Sequence, residues 1–388
     1  MITLILIVVY MAFIGIGFPN TIFGAAWPAI YEDLHLALAD GNYVNILVSG
    51  CTALAGFFSA CLVNKFGTAK VTFAGSCLIG ISLLGFSVSG NLLCLCLCAI
   101  PLGLTTGVLD AALNNYVASH YKPMFTNLLH CAFGVGASLS LYVMSAMLEQ
   151  SDWNAGYRKV AMVQFIISAF VLAILPAWKK MERNAEVEAE QEETLTLSLR
   201  EMFRMPMVRL IWMICLATNV IEGVCSGWGS TFLVLSRDFT AEDAAMVVSA
   251  FTIGMTIGRF GSGLMAAKMS GWSIVYIGCG ITLISLLMLL INPPIFLIVG
   301  FFLVGLGNGP IYPTMIQLTP IHFGSKISGS IIGAQVGFTY LGFMAGPAIF
   351  GYLAQHISTN LLPCYLILFY AMMIICIWKF QKAKHCKK

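Results

Sequence analysis

Residues 103–121 read GLTTGVLDAALNNYVASHY, and residues 305–323 read GLGNGPIYPTMIQLTPIHF. Laid over each other at an offset of 202 residues, both glycines of G-L-x-x-G coincide, Asn115 meets Gln317, and His120-Tyr121 meets His322-Phe323. The same offset places Gly56 on Gly258 and Asn20 on Glu222. One offset that serves three pairs of segments marks an internal repeat.

Both copies lie in long apolar runs. Of the 388 residues 59% are hydrophobic and only 10% charged, with a mean hydropathy of +0.89, where a soluble domain carries about 25% charged residues. Runs of about 20 apolar residues, the length that crosses ~30 Å of hydrocarbon, recur twelve times, from 4–31 to 361–379. Backbone in lipid must satisfy its own hydrogen bonds, and the short alternating segments of a β-barrel are absent, so the fold expected is an all-α integral membrane bundle. The stretch KKMERNAEVEAEQEETLTLSLR (179–200) is the one long polar segment, its glutamates reading as a solvated face. It divides the chain into a six-helix bundle over 1–178, a cytoplasmic linker over 179–206, and a second six-helix bundle with a short basic cytoplasmic tail over 207–388.

Charge sets the orientation. With both termini cytoplasmic, seventeen of the 20 Lys and Arg residues fall on the inner side, against Arg158, Lys159 and Arg237 outside. The basic tail KFQKAKHCKK is then an anchor of the positive-inside kind, and the net charge of +3 calls for no nucleic-acid partner. The N-terminus MITLILIVVY has neither the basic region nor the cleavage site of a signal peptide and reads as the start of the first helix. Most of the 13 cysteines fall inside spans, and the period of two in Cys94, Cys96 and Cys98 scatters them around a helix, so packing is their expected role. His385 and Cys386 are too sparse for a zinc site, and no metal or cofactor is expected.

Of the 17 acidic residues only Asp110 and Glu222 lie well inside spans. A charged residue at mid-membrane costs at least ~2.5–3.5 kcal/mol, so both should face a cavity. Helical spacing joins Gly103, Gly107, Asp110 and Asn114 in one stripe, Asn219, Glu222, Ser226 and Ser230 in a second, and Gly17, Asn20, Gly24 and Trp27 in a third. Such stripes also glue transmembrane helices together, the ordinary use of Gly and Ser. Burial favours the neutral form of a carboxyl group, so a carboxylate in this place can take up and release a proton. His130, within NLLHCAFGVGAS (127–138), is either a relay for that proton or a satisfied packing residue.

Trp27, Trp228, Tyr312, Phe338 and Tyr340 offer faces for a sugar ring, and Asn20, Asn114, Asn219 and Gln335 offer bonds to hydroxyls, although packing is the commoner use of such aromatics. GIGFPN (15–20), NGPIYP (308–313) and GPAIFG (346–351) are expected to break the first, tenth and eleventh spans. No H-E-x-x-H, G-x-S-x-G or nucleotide loop is present, which argues against an enzyme, and no extramembrane domain is large enough for a receptor.

At these residues the chain resembles a known family. ACLVNKFGTAK (60–70) is similar to a degenerate form of the loop motif between helices two and three of the major facilitator superfamily, with GMTIGRFGSG (254–263) at its second-half counterpart. NTIFGAAWP (20–28), GVLDAALNNYV (107–117), LLHCAFGVGAS (128–138) and EGVCSGWGSTFLV (222–234) resemble the fucose-galactose-glucose:proton symporter branch, which has many bacterial members. The resemblance implies a major facilitator fold of 12 transmembrane helices, two six-helix bundles with the solute site between them. It also implies a multi-pass protein of the bacterial inner membrane that works as a monomer by alternating access and imports a monosaccharide-like solute with protons. Asp110 matches the branch's acidic coupling residue in the fourth helix; Glu222 and His130 are further proton candidates. Asn20, Trp27, Asn114, Asn219, Trp228, Tyr312 and Gln335 are the expected substrate contacts, and Asn64, Lys65, Gly67, Lys70 and Arg259 the expected loop and gating residues. The branch's first-helix aspartate is Asn20 here. Asparagine bonds a hydroxyl but does not titrate, which leaves three readings: coupling through Asp110 and Glu222 alone, an uncoupled facilitator, or a position altered to hold one conformation. A proton-driven exporter of amphipathic compounds would use the same two carboxylates.

Overall fold

The computed structural model describes residues 2–37, 40–122, 124–150, 152–188 and 195–385, and all of its regular structure is helical. In order these are α1 (Ile2–Asp33), α2 (Gly41–Phe66), α3 (Thr68–Ser87), α4 (Leu92–His120), α5 (Met124–Leu148), α6 (Trp153–Glu188), α7 (Leu199–Arg204), α8 (Pro206–Arg237), α9 (Ala241–Met265), α10 (Gly271–Met288), α11 (Pro294–Asn308), α12 (Ile311–Phe323), α13 (Ser325–His356) and α14 (Leu362–His385). A short 3₁₀ turn, Thr359–Leu361, precedes α14. Residues 189–194 of the polar stretch and Cys386, Lys387 and Lys388 of the tail lie outside the described residues.

Among the described residues, eleven helices are long and apolar enough to cross a membrane, α11 and α12 together forming one of them. The expected span at 244–266 coincides with α9, which has the length but carries Thr252, Thr256, Arg259 and Ser262. Large apolar side chains such as Phe58, Leu97, Ile166 and Ile284 are half exposed, the outer face that lipid covers in a multi-pass membrane protein.

The chain forms two compact units. The first comprises residues 1–119, 129–196 and 323–337; the second comprises 120–128, 197–322 and 338–388. In the first, α6 packs on α3 and α1; in the second, α11 packs on α9 and α10, and α14 on α8. Helix ends follow their local chemistry. Gly67 turns α2 into α3 at φ 80°, a backbone that residues with a Cβ rarely adopt. Ser198 and Glu201 form a reciprocal capping box at α7, and that pair of contacts holds the Glu201 carboxyl below the usual carboxylate range.

Two of the three expected breaks are not breaks. α1 runs unbroken through Pro19 and Pro28, and α13 through Pro347, because one missing backbone bond is tolerated in a helix held by its neighbours. Only NGPIYP interrupts its span: α11 stops at Asn308 and α12 begins at Ile311. Here two prolines fall three residues apart. Pro310 offers no N–H to the Leu306 carbonyl, and Pro313 offers none to Gly309.

Candidate functional site

The repeat reappears as one helix crossing in each unit. In the first, α4 lies against α2 so closely that a methyl at Gly103 would strike the Val48 carbonyl, and one at Gly107 the Thr52 carbonyl. The Thr52 hydroxyl lies across the contact, its one hydrogen shared between the Val48 carbonyl at 2.7 Å and the Gly103 carbonyl at 3.1 Å. In the second, a methyl at Gly305 would strike the Phe251 carbonyl, and one at Gly309 would come within 3.0 Å of the Met255 carbonyl. Val48 and Thr52, shifted by the 202-residue offset, fall one position short of Phe251 and Met255, so the crossing repeats almost to the residue. These glycines serve close packing.

Asp110 lies just beyond the first crossing and is 6% exposed. Its Oδ1 accepts Asn114 Nδ2 at 2.7 Å, a bond between adjacent turns of α4, and the same nitrogen donates to the Asp110 carbonyl at 3.0 Å. With the amide turned this way its oxygen faces Nε2 of His130, on α5, at 3.1 Å. A carbonyl oxygen only accepts, so Nε2 carries the hydrogen. Phe13 of α1 fixes the imidazole from the side, ring edge to ring face at 5.4 Å and 85°. Asn114 is fully buried and His130 is 6% exposed. The three residues thus form a chain that joins α4 to α5 through a neutral amide.

The second unit holds a different arrangement. Glu222 of α8 accepts Arg259 Nη2 at 3.1 Å, and Arg259 Nε donates to the Gly309 carbonyl at 3.2 Å. That carbonyl is the one Pro313 deprives of a helical donor, so the guanidinium satisfies both an acid and a broken helix. Both side chains are largely buried. Arg259, expected with the loop motif, is therefore inside α9 and ties together α8 and the α11–α12 junction. Sequence reasoning missed this pairing, since 37 residues separate the partners; the signal available was an arginine inside a span, which needs an acid.

The remaining candidates divide. Asn20 is exposed on α1, and a methyl at Gly24 one turn on would meet nothing within 4 Å, so this part of the α1 stripe borders open space. Gly17, in contrast, is pressed on the Phe133 carbonyl. Trp27 packs on Phe23 and Tyr31 and covers Gly41. The Trp228 indole donates to the Pro347 carbonyl at 2.9 Å and covers Gly351. Asn219 donates to the Cys215 carbonyl at 2.8 Å, while Tyr312 and Gln335 are buried. Phe338 stacks on Trp212 at 4.8 Å. In the loop motif, Asn64 donates to Thr196 at 2.8 Å and the Lys65 ammonium stands over the Phe66 ring. The twelve described cysteines are free.

Long apolar helices with a repeated close crossing make this a multi-pass membrane protein. The chain belongs to the Major Facilitator Superfamily, whose family model matches residues 9–347. It is 22% identical over 394 residues to Bypass of stop codon protein 6 of Saccharomyces cerevisiae, covering 90% of this chain and 77% of that protein. Among solved structures it is similar to the proton:xylose symporter XylE, with a TM-score of 0.79 at 13% identity over 98% of this chain and 95% of that one. It is also similar to the E. coli fucose:proton symporter FucP, with a TM-score of 0.70 at 13% identity over 97% of this chain and 98% of that one. At that identity these likenesses speak for the fold.

Proposed function

We propose that the protein imports a monosaccharide-like solute together with protons by alternating access, both termini facing the cytoplasm of a bacterial cell. The observation that carries the reading is the buried chain Asp110–Asn114–His130. Ionised, Asp110 accepts the Asn114 amide. A proton delivered to Oδ1 makes that oxygen a donor, so the amide must turn and present its nitrogen to His130. The imidazole must then move its hydrogen to Nδ1 or let go. Proton occupancy on α4 is in this way transmitted to α5. The likeness in fold to two sugar:proton symporters supports the solute class.

Glu222 is the second proton or substrate site: a solute hydroxyl or a proton that takes the carboxylate frees Arg259. Asn20, beside the open space at Gly24, is the substrate contact on α1, with Trp27, Asn114, Asn219, Trp228, Tyr312 and Gln335 shaping the remainder of the pathway. Asn64, Lys65, Gly67 and Lys70, at the α2–α3 turn and the helix ends beside it, gate the pathway. The test is external pH in a suspension of proteoliposomes as hexoses and deoxyhexoses are added in turn. Alkalinisation with one sugar, absent in Asp110→Asn, is expected; an unchanged signal in that variant would remove Asp110 from coupling.

One observation favours an uncoupled facilitator instead. The exposed first-helix position holds an amide, which cannot titrate. Sugar counterflow with a silent pH electrode would select that reading.

A further inference from the structure

Helices α2, α3 and α4 leave a groove of about 450 Å³ in the first unit, within the ~300–1,000 Å³ range of small-ligand sites. Its walls are apolar: Leu62 and Phe66 from α2, Ala74 and Leu78 from α3, Leu104 and Val108 from α4. Leu62, Phe66, Leu78 and Leu104 are more than a third exposed, so the groove opens on the outer, lipid-covered face. Gly75 lies on its floor, where the absent side chain admits Leu109.

One end is cationic. Lys70 lines the groove, and the Lys65 ammonium stands 5.3 Å from the centroid of the Phe66 ring, itself a wall. Both lysines flank the α2–α3 turn, at the ends of two spans, where lipid headgroups lie. From Lys70 the groove runs eight residues along α3 to Leu78, about 12 Å at ~1.5 Å per residue. No Asp or Glu occurs between Gly41 and Leu109, and among the described residues neither lysine enters an ion pair. A slot that is apolar along its length and positive at one end matches an amphiphile with a single anionic end.

We infer that this groove binds one acyl chain of an anionic phospholipid, with the phosphate held by Lys70 and Lys65. On the orientation proposed above, the lipid belongs to the cytoplasmic leaflet. A lysine near anionic lipid contributes about fivefold in affinity, so two give a preference of roughly 25-fold over a zwitterionic lipid of the same chains.

The test is native mass spectrometry of the full-length protein titrated with phosphatidylglycerol or phosphatidylcholine. The expected result is one tightly held phosphatidylglycerol, a preference abolished in Lys65→Gln/Lys70→Gln, and loss of both lipids in Ala74→Phe, which fills the slot from its exposed wall. Equal binding of the two lipids by the unmodified protein would mean an unspecific annulus and overturn the site, as would an unchanged preference in the double variant. Where a variant does not fold, photolabelling of the unmodified protein by phosphatidylglycerol with a diazirine in one chain decides. Label on Leu62, Leu78, Leu104 or Val108 supports the site, and label only elsewhere removes it.

Discussion

The two units share a helix crossing and differ in what stands beside it. In the first, α2 and α4 meet at Gly103 and Gly107; in the second, α9 and α11 meet at Gly305 and Gly309. Yet the repeat partner of Asp110 is Tyr312, the partner of Glu222 is Asn20, and the partner of Arg259 is Phe57. Asp110 and Glu222, both largely withdrawn from the surface, thus stand at positions that the repeat does not relate. The first is met by a neutral amide that in turn meets an imidazole, groups that can change hydrogen-bonding role; the second by a guanidinium, which cannot. The helix crossing is alike in both halves while the polar chemistry beside it differs, one half pairing its acid with an amide and the other with a guanidinium.

The largest effect is expected at the switchable acid. Asp110→Asn should reduce proton-driven accumulation to simple equilibration while leaving counterflow intact, read with radiolabelled sugar in proteoliposomes. Accumulation that survives would erase the functional contrast between the units. Next comes the clamp: Arg259→Ala strands the Glu222 charge and the Gly309 carbonyl and should cost about 3 kcal/mol, as breaking one side of a buried pair does. Thermal unfolding in detergent measures this, and Arg259→Leu combined with Glu222→Gln should recover part of it. If the single change is neutral, the second unit is not clamped.

The crossings themselves should respond alike. Gly107→Val and Gly305→Val each push a side chain into a facing carbonyl and should lose about 2 kcal/mol from overpacking. A large loss in one and none in the other would show that the repeat of geometry is not a repeat of energetics. The smallest change is expected at His130. Replacement by Leu leaves the Asn114 oxygen buried with no donor from that side and should cost about 1 kcal/mol, whereas Gln, which still donates, should restore stability without restoring the pH profile of uptake. Identical pH profiles for both variants and the parent would make His130 a packing residue.

The fold was legible because lipid imposes strict rules: span length, internally satisfied backbone and a repeat offset all stand in the primary sequence. Asp110 and Glu222 were legible for the same reason, each being costly inside an apolar run. Their partners were less so. Asn114 lies one turn from Asp110 and could be placed beside it, but His130 reaches the pair from another helix, and Arg259, though inside its expected span, stands 37 residues from Glu222. The tryptophans show the converse limit. Trp27 and Trp228 adjoin the polar stripes in sequence, yet helix packing engages them with Gly41 and the Pro347 carbonyl.

The junction of α11 and α12 has a mechanical consequence. Two carbonyls, of Leu306 and Gly309, lack the amide that would stiffen them, so the span is two rods meeting at a compliant joint, and Arg259 grips that joint from outside while holding Glu222 with the same side chain. Whatever draws Glu222 away leaves the guanidinium a single hold on the joint. One arginine thus ties the joint of this span to an acid on a neighbouring helix.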